Sequence, residues 1–126
     1  MKLSGMMLKS LILELEQHKN TSEHFYEVRA WDRDKEKYDS LSKIEKAARV
    51  IYLNRTCYNG LYRVNSSGEF NTPFGKYKNP AIVNEPVLRG MSQYFQEADI
   101  TFSCRDYADV LAGVPQGTFV YLDSTL

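Results

Sequence analysis

Leu8, Leu11, Ile12 and Leu15 recur at three- and four-residue spacing, with Lys9, Glu14, Glu16 and Gln17 between them. That period predicts an amphipathic helix over residues 6–18, packed on a partner surface by its apolar stripe. Asn20-Thr21-Ser22-Glu23 offers a cap, and Phe25, Tyr26, Val28 and Ala30 predict a second helix that fades near Trp31. Asp32-Arg33-Asp34-Lys35-Glu36-Lys37 is charged throughout and reads as a solvated loop or helix end. From Ser42 onward, Ile44, Ala47, Ala48, Val50, Ile51 and Leu53 make the strongest helical run, ending at Asn54. Ser42 and Glu45 have the spacing of a capping box.

Beyond Asn54 the period changes. Leu61, Tyr62 and Val64, then Phe70, flank Asn65-Ser66-Ser67-Gly68-Glu69, a hairpin pattern with Gly68 suited to a left-handed turn position. Pro73, Gly75 and Pro80 punctuate an extended loop containing Phe74 and Tyr77. After Asn84-Glu85-Pro86, the residues Val87, Leu88, Met91, Tyr94 and Phe95 predict another helix. Ile100-Thr101-Phe102 is a strand candidate, Tyr107 to Leu111 a short helix, and Gly113 to Gly117 a turn. Thr118-Phe119-Val120-Tyr121-Leu122 has the pattern of a buried strand. The last third therefore reads strand, helix, strand, whereas the first two thirds read as helices plus one hairpin.

A chain of 126 residues has room for one modest core. Its 16 basic and 16 acidic side chains cancel, so net charge gives no signal for nucleic acid or membrane, and any electrostatic argument must be local. One island stands out: Arg55, Arg63, Lys76 and Lys78 face the single Glu69 within residues 55–78. Cys57 and Cys104 are too few and too far apart for a disulfide framework, and no Cys/His cluster suggests zinc or another metal. Reduced thiols, the lack of a signal-like start and the lack of an apolar run near the ~20 residues of a membrane span point to a cytoplasmic protein without a membrane partner. His18 and His24 read as solvent-facing structural histidines, and Glu14 and Glu16 as helix-surface charges.

The island combines Arg and Lys with aromatics, Asn and Gly around the predicted hairpin. Cations neutralise phosphates, a forked Arg reads guanine, and an aromatic tip wedges into a base step. The same composition also describes a Tyr-rich hairpin packed on its own domain, and composition alone favours that reading.

A longer pattern adds to this. Ala47-Ala48-Arg49-Val50-Ile51-Tyr52-Leu53-Asn54-Arg55-Thr56-Cys57-Tyr58-Asn59-Gly60-Leu61-Tyr62-Arg63, followed by Gly68-Glu69-Phe70-Asn71-Thr72-Pro73-Phe74-Gly75-Lys76-Tyr77, resembles the target-recognition signature of Dam-like (D12 class) adenine-N6 DNA methyltransferases. The likeness continues more loosely to Phe119-Val120-Tyr121-Leu122-Asp123 and covers essentially the whole chain. It implies that double-stranded DNA is the partner, read at GATC or a related site, and that an adenine is flipped to meet its methyl donor. Arg63 matches the arginine that reads a guanine, and Leu61 and Pro73 match apolar residues set against a thymine methyl. Tyr58 matches an aromatic that enters the base stack beside the target adenine. Asn59 matches a polar residue contacting the backbone near it, and Lys76 a phosphate contact. Core packing is the expectation for Tyr62, Phe70, Phe74 and Tyr77, and turn geometry for Gly60, Gly68 and Gly75.

The resemblance ends in a departure. Members continue from such a strand into Asp-Pro-Pro-Tyr or Asp-Ser-Pro-Tyr, whereas this chain reads Asp123-Ser124-Thr125-Leu126. Asp123 thus stands as the catalytic residue of a partial motif that lacks its stacking tyrosine. The glycine motif for S-adenosylmethionine is also missing, so the cofactor is expected for a parent enzyme and not for this chain, which would be inactive alone. The resulting expectation is an internal piece of such an enzyme, of α+β class, mainly helical with a protruding β-hairpin. Residues 1–98 would form the recognition region, with the hairpin near 58–78. Residues 99–126 would form a strand-helix-strand piece of the parent α/β sheet. A non-catalytic remnant that binds DNA or protein as a stand-alone module is the alternative. Dimerisation through apolar surface left by a missing sheet is a further expectation.

Overall fold

The computed structural model of the protein describes residues 5–123. Six α-helices are formed among them: α1 (Gly5–Glu16), α2 (Ser22–Arg29), α3 (Lys35–Ser40), α4 (Lys43–Thr56), α5 (Glu85–Glu97) and α6 (Tyr107–Ala112). Short 3₁₀ turns occupy Ala30–Arg33 and Tyr58–Gly60. The starts follow local chemistry. Thr21 accepts from the His24 amide at α2, Asp34 from Lys37 at α3, Asn84 from Val87 at α5, and Asp106 from Ala108 at α6. At α4 the capping box is complete: Ser42 Oγ accepts the Glu45 amide at 3.1 Å, and Glu45 Oε2 accepts the Ser42 amide at 2.6 Å.

Helix α1 packs on α4, with α2 and α5 alongside. The core joins Leu11 and Leu15 of α1, Phe25 and Val28 of α2, and Ala48, Tyr52 and Leu53 of α4. Cys57 and Phe70 close it from the segment that follows α4. Each large side chain sealed here contributes about 1.5–3 kcal/mol relative to exposure, so the helical layer is the rigid part of the molecule.

The expected mixed fold with a protruding β-hairpin is not formed. Among the described residues there is no sheet and no named strand, only two isolated antiparallel bridges, Cys57 with Phe74 and Val64 with Phe70. The chain does reverse, because Gly68 takes φ 80° and donates its amide to the Asn65 carbonyl at 3.0 Å. Pro73 lacks an amide to extend a ladder, and Phe70 turns inward to the core, so the reversal lies on the helices instead of projecting from them.

The strand-helix-strand expectation for the last third fails as well. Helix α6 is present, but Ile100-Thr101-Phe102 and Thr118 to Leu122 are irregular, with Phe119 88% and Tyr121 80% exposed. A strand needs a neighbour to take its amides and carbonyls, and the described residues supply none. No described helix is long and apolar enough to cross a membrane.

Candidate nucleic-acid interface

Helix α4 stops where Cys57 becomes extended, and the chain enters a tight turn with Asn59 at φ 53° and Gly60 at φ 61°. Asn is one of the few side chains that tolerate this left-handed region. The turn is held by Asn54 Nδ2, which donates to the Gly60 carbonyl at 3.0 Å. Two stretches, 57–65 and 69–75, then run side by side. Tyr58 N–H donates to Pro73 O at 2.8 Å, the Thr72 hydroxyl to Leu61 O at 2.6 Å, and Asn71 N–H to Arg63 O at 3.0 Å. Gly75 N–H reaches back to Thr56 O at 2.8 Å, and a Cβ on Gly75 would stand 2.8 Å from the Cys57 carbonyl oxygen. The absence of that Cβ is what lets the two stretches close.

This pairing sorts the residues. Cys57, Phe70 and Thr72 point inward and are almost fully buried. Tyr58, Asn59, Leu61, Arg63, Pro73 and Lys76 are all exposed on the same paired loop. Arg63 Nε donates to Asn71 Oδ1 at 2.8 Å, which anchors the guanidinium but leaves its Nη1 group unused by that contact. The Asn59 amide donates to the Tyr77 hydroxyl at 2.9 Å. Lys76 is held at φ 60°, a conformation that costs a non-glycine residue about 1 kcal/mol or more and persists only where the surroundings enforce it. Asp123 is exposed in the last segment, and none of the loop's hydrogen bonds reaches it. Ser124, Thr125 and Leu126, the rest of that motif, lie outside the described residues.

Of the four aromatics expected in the core, Phe70 is buried and Phe74 packs against the core, but Tyr62 and Tyr77 are 61% and 41% exposed. Tyr77 instead ties the start of the loop to the α1–α2 connection: its hydroxyl takes the Asn59 amide and its carbonyl takes Asn20 Nδ2 at 2.7 Å.

Other residues of the loop's support gave no sequence signal. Asp32, placed by sequence in a solvated charged run, directs Oδ2 at the Phe70 amide (2.8 Å) and at Arg49 Nη2 (2.8 Å), and also pairs with Arg33. Burial alone would raise its pKa, but the Phe70 amide, Arg33 and Arg49 outweigh that and hold it below the ordinary value. Arg49, 3% exposed, also donates Nε to the Val28 carbonyl and Nη2 to the Arg29 carbonyl, each at 3.0 Å. Arg29 in turn reaches the Asn71 and Thr72 carbonyls at 3.4 and 3.2 Å.

The histidines also differ from expectation. His18 is buried, stacked on Tyr52 with centroids 4.7 Å apart, and its Nδ1 lies 2.8 Å from His24 Nε2. Burial, with His24 beside it, pushes the His18 pKa down to about 4. Burial likewise raises Tyr52 to about 12, and its hydroxyl donates to the Lys19 carbonyl at 2.6 Å. Both cysteines are free, Cys57 buried with a raised pKa and Cys104 exposed.

Residues 5–124 match the family described as D12 class N6 adenine-specific DNA methyltransferase. The chain is 38% identical over 112 residues to the type II methyltransferase M1.LlaDCHI of Lactococcus lactis subsp. cremoris, covering 89% of this chain and 39% of that protein. It is 42% identical over 116 residues to the type II methyltransferase M.MjaIII of Methanocaldococcus jannaschii, covering 92% and 38% respectively. Against the DNA adenine methylase of Escherichia coli strain K12 it is 38% identical over 104 residues, 82% of this chain and 34% of that protein. The chain thus spans well under half the length of these relatives.

Proposed function

Because this chain belongs to the D12 class N6 adenine-specific DNA methyltransferases, we propose that it supplies the DNA-reading part of an enzyme that methylates adenine in duplex DNA. The observation that carries this reading is the paired loop, which keeps Tyr58, Asn59, Leu61, Arg63, Pro73 and Lys76 exposed together while Cys57, Phe70 and Thr72 anchor it inside. Arg63 reads a guanine through the groups its Asn71 anchor leaves over, a role that suits a planar fork. Leu61 and Pro73 meet a thymine methyl, the apolar feature of the major-groove edge. Tyr58 enters the stack beside the adenine, Asn59 holds the backbone there, and Lys76 neutralises a phosphate. Residues 1–98 form the recognition region and 99–126 belong to the catalytic part, where Asp123 accepts a hydrogen bond from the adenine amine.

The methyl donor of such an enzyme is S-adenosylmethionine, and the described residues do not fit it. They contain no strand leading through a glycine turn into a helix. Clefts of about 350, 410 and 490 Å³ occur, but no acidic side chain lines any of them to take the cofactor's ribose hydroxyls or ammonium group. Methyl transfer therefore calls on residues beyond those described.

The test is duplex binding at several salt concentrations, using a GATC-containing duplex and versions substituted at each position. Arg63→Ala relaxes the preference at one guanine position by about 1–3 kcal/mol, whereas Lys76→Ala weakens all duplexes alike and lowers the salt slope by about one. Unchanged affinity and selectivity in Arg63→Ala would count against the reading.

A further inference from the structure

We propose that Asp32, held by Arg49, is a positioning residue for base recognition: it fixes where Arg63 presents its guanidinium. The inference rests on the reading of the paired loop as the DNA-contacting surface. In the bridge between Val64 and Phe70 the flanking hydrogen bonds run from Asn65 N to Glu69 O and from Asn71 N to Arg63 O. Phe70's own amide therefore faces away from its partner stretch. Asp32 Oδ2 takes that otherwise unpaired donor at 2.8 Å. The next residue, Asn71, carries the side-chain oxygen that anchors Arg63 Nε. A continuous series of contacts thus runs from Arg49 through Asp32 and the Phe70–Asn71 backbone to Arg63.

The near end of this series is rigid. The Arg49 side chain is 4% exposed and bonded to two helix-layer carbonyls as well as to Asp32. Arg29 from the same layer takes the Asn71 and Thr72 carbonyls, so the 70–72 backbone is held from two points. A base-reading fork has to be placed to about 0.5 Å, and side chains locked behind it normally supply that precision.

The charges give this role a distinctive signature. Asp32 is the acidic member of a group otherwise made of Arg29, Arg33, Arg49 and, across Asn71, Arg63. Asp32→Asn removes that negative charge, so attraction to any duplex is equal or stronger while discrimination falls. A variant that merely destabilises the fold loses both.

The experiment compares wild type, Asp32→Asn, Arg49→Lys, Arg63→Ala and the double variant Asp32→Asn/Arg63→Ala. In the free protein, the Arg63 Nε–H is followed by hydrogen exchange in NMR. In complex, affinity is measured for the GATC duplex and for one substituted at the guanine. Asp32→Asn and Arg49→Lys are expected to stay folded and to speed Arg63 Nε–H exchange. Asp32→Asn is expected to reduce duplex preference about 3- to 30-fold without loss of non-specific affinity, and to add nothing in the Arg63→Ala background. Wild-type protection of Arg63 Nε–H in the folded variants overturns the proposal. So does unfolding of both, which would make the ion pair a strut of the core. Faster exchange in the variants together with a wild type that has no duplex preference leaves the positioning contact standing and removes the DNA reading on which its purpose rests.

Discussion

Gly75 shows how tightly single residues constrain the loop. A methyl group there meets the Cys57 carbonyl oxygen at 2.8 Å and carbon at 2.9 Å, both backbone atoms that cannot swing away. Gly75→Ala should cost roughly 1–3 kcal/mol, read as a lower denaturant midpoint, with the Thr56–Gly75 contact broken. His18 gives a prediction in pH. Its folded pKa of about 4 lies below the 6.5 of an unconstrained imidazole, so between those values the unfolded chain binds the extra proton. Stability therefore falls with acidification through that window, by roughly 2 kcal/mol between pH 7 and 5. His18→Gln should flatten that part of the stability profile in urea titrations, and an unchanged slope would rule out His18 as its source. Nothing in the spacing around His18 predicts its burial, because the stacking Tyr52 lies 34 positions later and only the packing of α1 on α4 brings them together. Asp32 was hidden in the same way. A run of alternating charges normally faces water, and only the backbone reversal at 65–70 brings a buried amide to it.

At the scale of elements, legibility follows how local each signal is. The α4 cap is written in four consecutive residues, and the structure contains both reciprocal hydrogen bonds. Ser42→Ala should lower stability by about 1 kcal/mol in thermal melts, with little change in duplex binding. The outward side of the loop was not legible through residue types, since apolar Leu61 and Pro73 stay outside with Arg63 while Phe70 goes in, and only the family resemblance singled those three out. Nor was the hairpin, because alternation and a glycine predict a reversal but not a ladder. Pro73 cannot donate, Gly68 bends the tip, and the pairing is reduced to isolated bridges. Thr118 to Leu122 fails for the opposite reason. Its apolar run suits a strand covered on both faces, and no adjacent strand exists among the described residues to cover it.

For the whole molecule, these elements divide into a packed layer and an exposed remainder. Helices α1, α2 and α4 with the paired loop share one core, whereas residues 99–123 leave Phe102, Tyr107, Phe119, Tyr121 and Leu122 more than half exposed. An apolar cleft of about 350 Å³ runs between α1, α4 and α5, lined by Leu8, Leu11, Ile51, Leu88, Met91 and Phe95. Such a surface predicts fast amide exchange and early proteolysis in residues 99–123, while α1 and α4 remain protected. Uniform protection along the chain would contradict this division.

The proposal that the loop from Tyr58 to Tyr77 meets DNA has a direct test. Titrating the ¹⁵N-labelled chain with a GATC duplex at low salt, and following backbone amide shifts, tests it most directly. The largest shifts are expected at Tyr58, Asn59, Leu61, Arg63 and Lys76. Shifts confined to α5 and α6, with the loop silent, would contradict it.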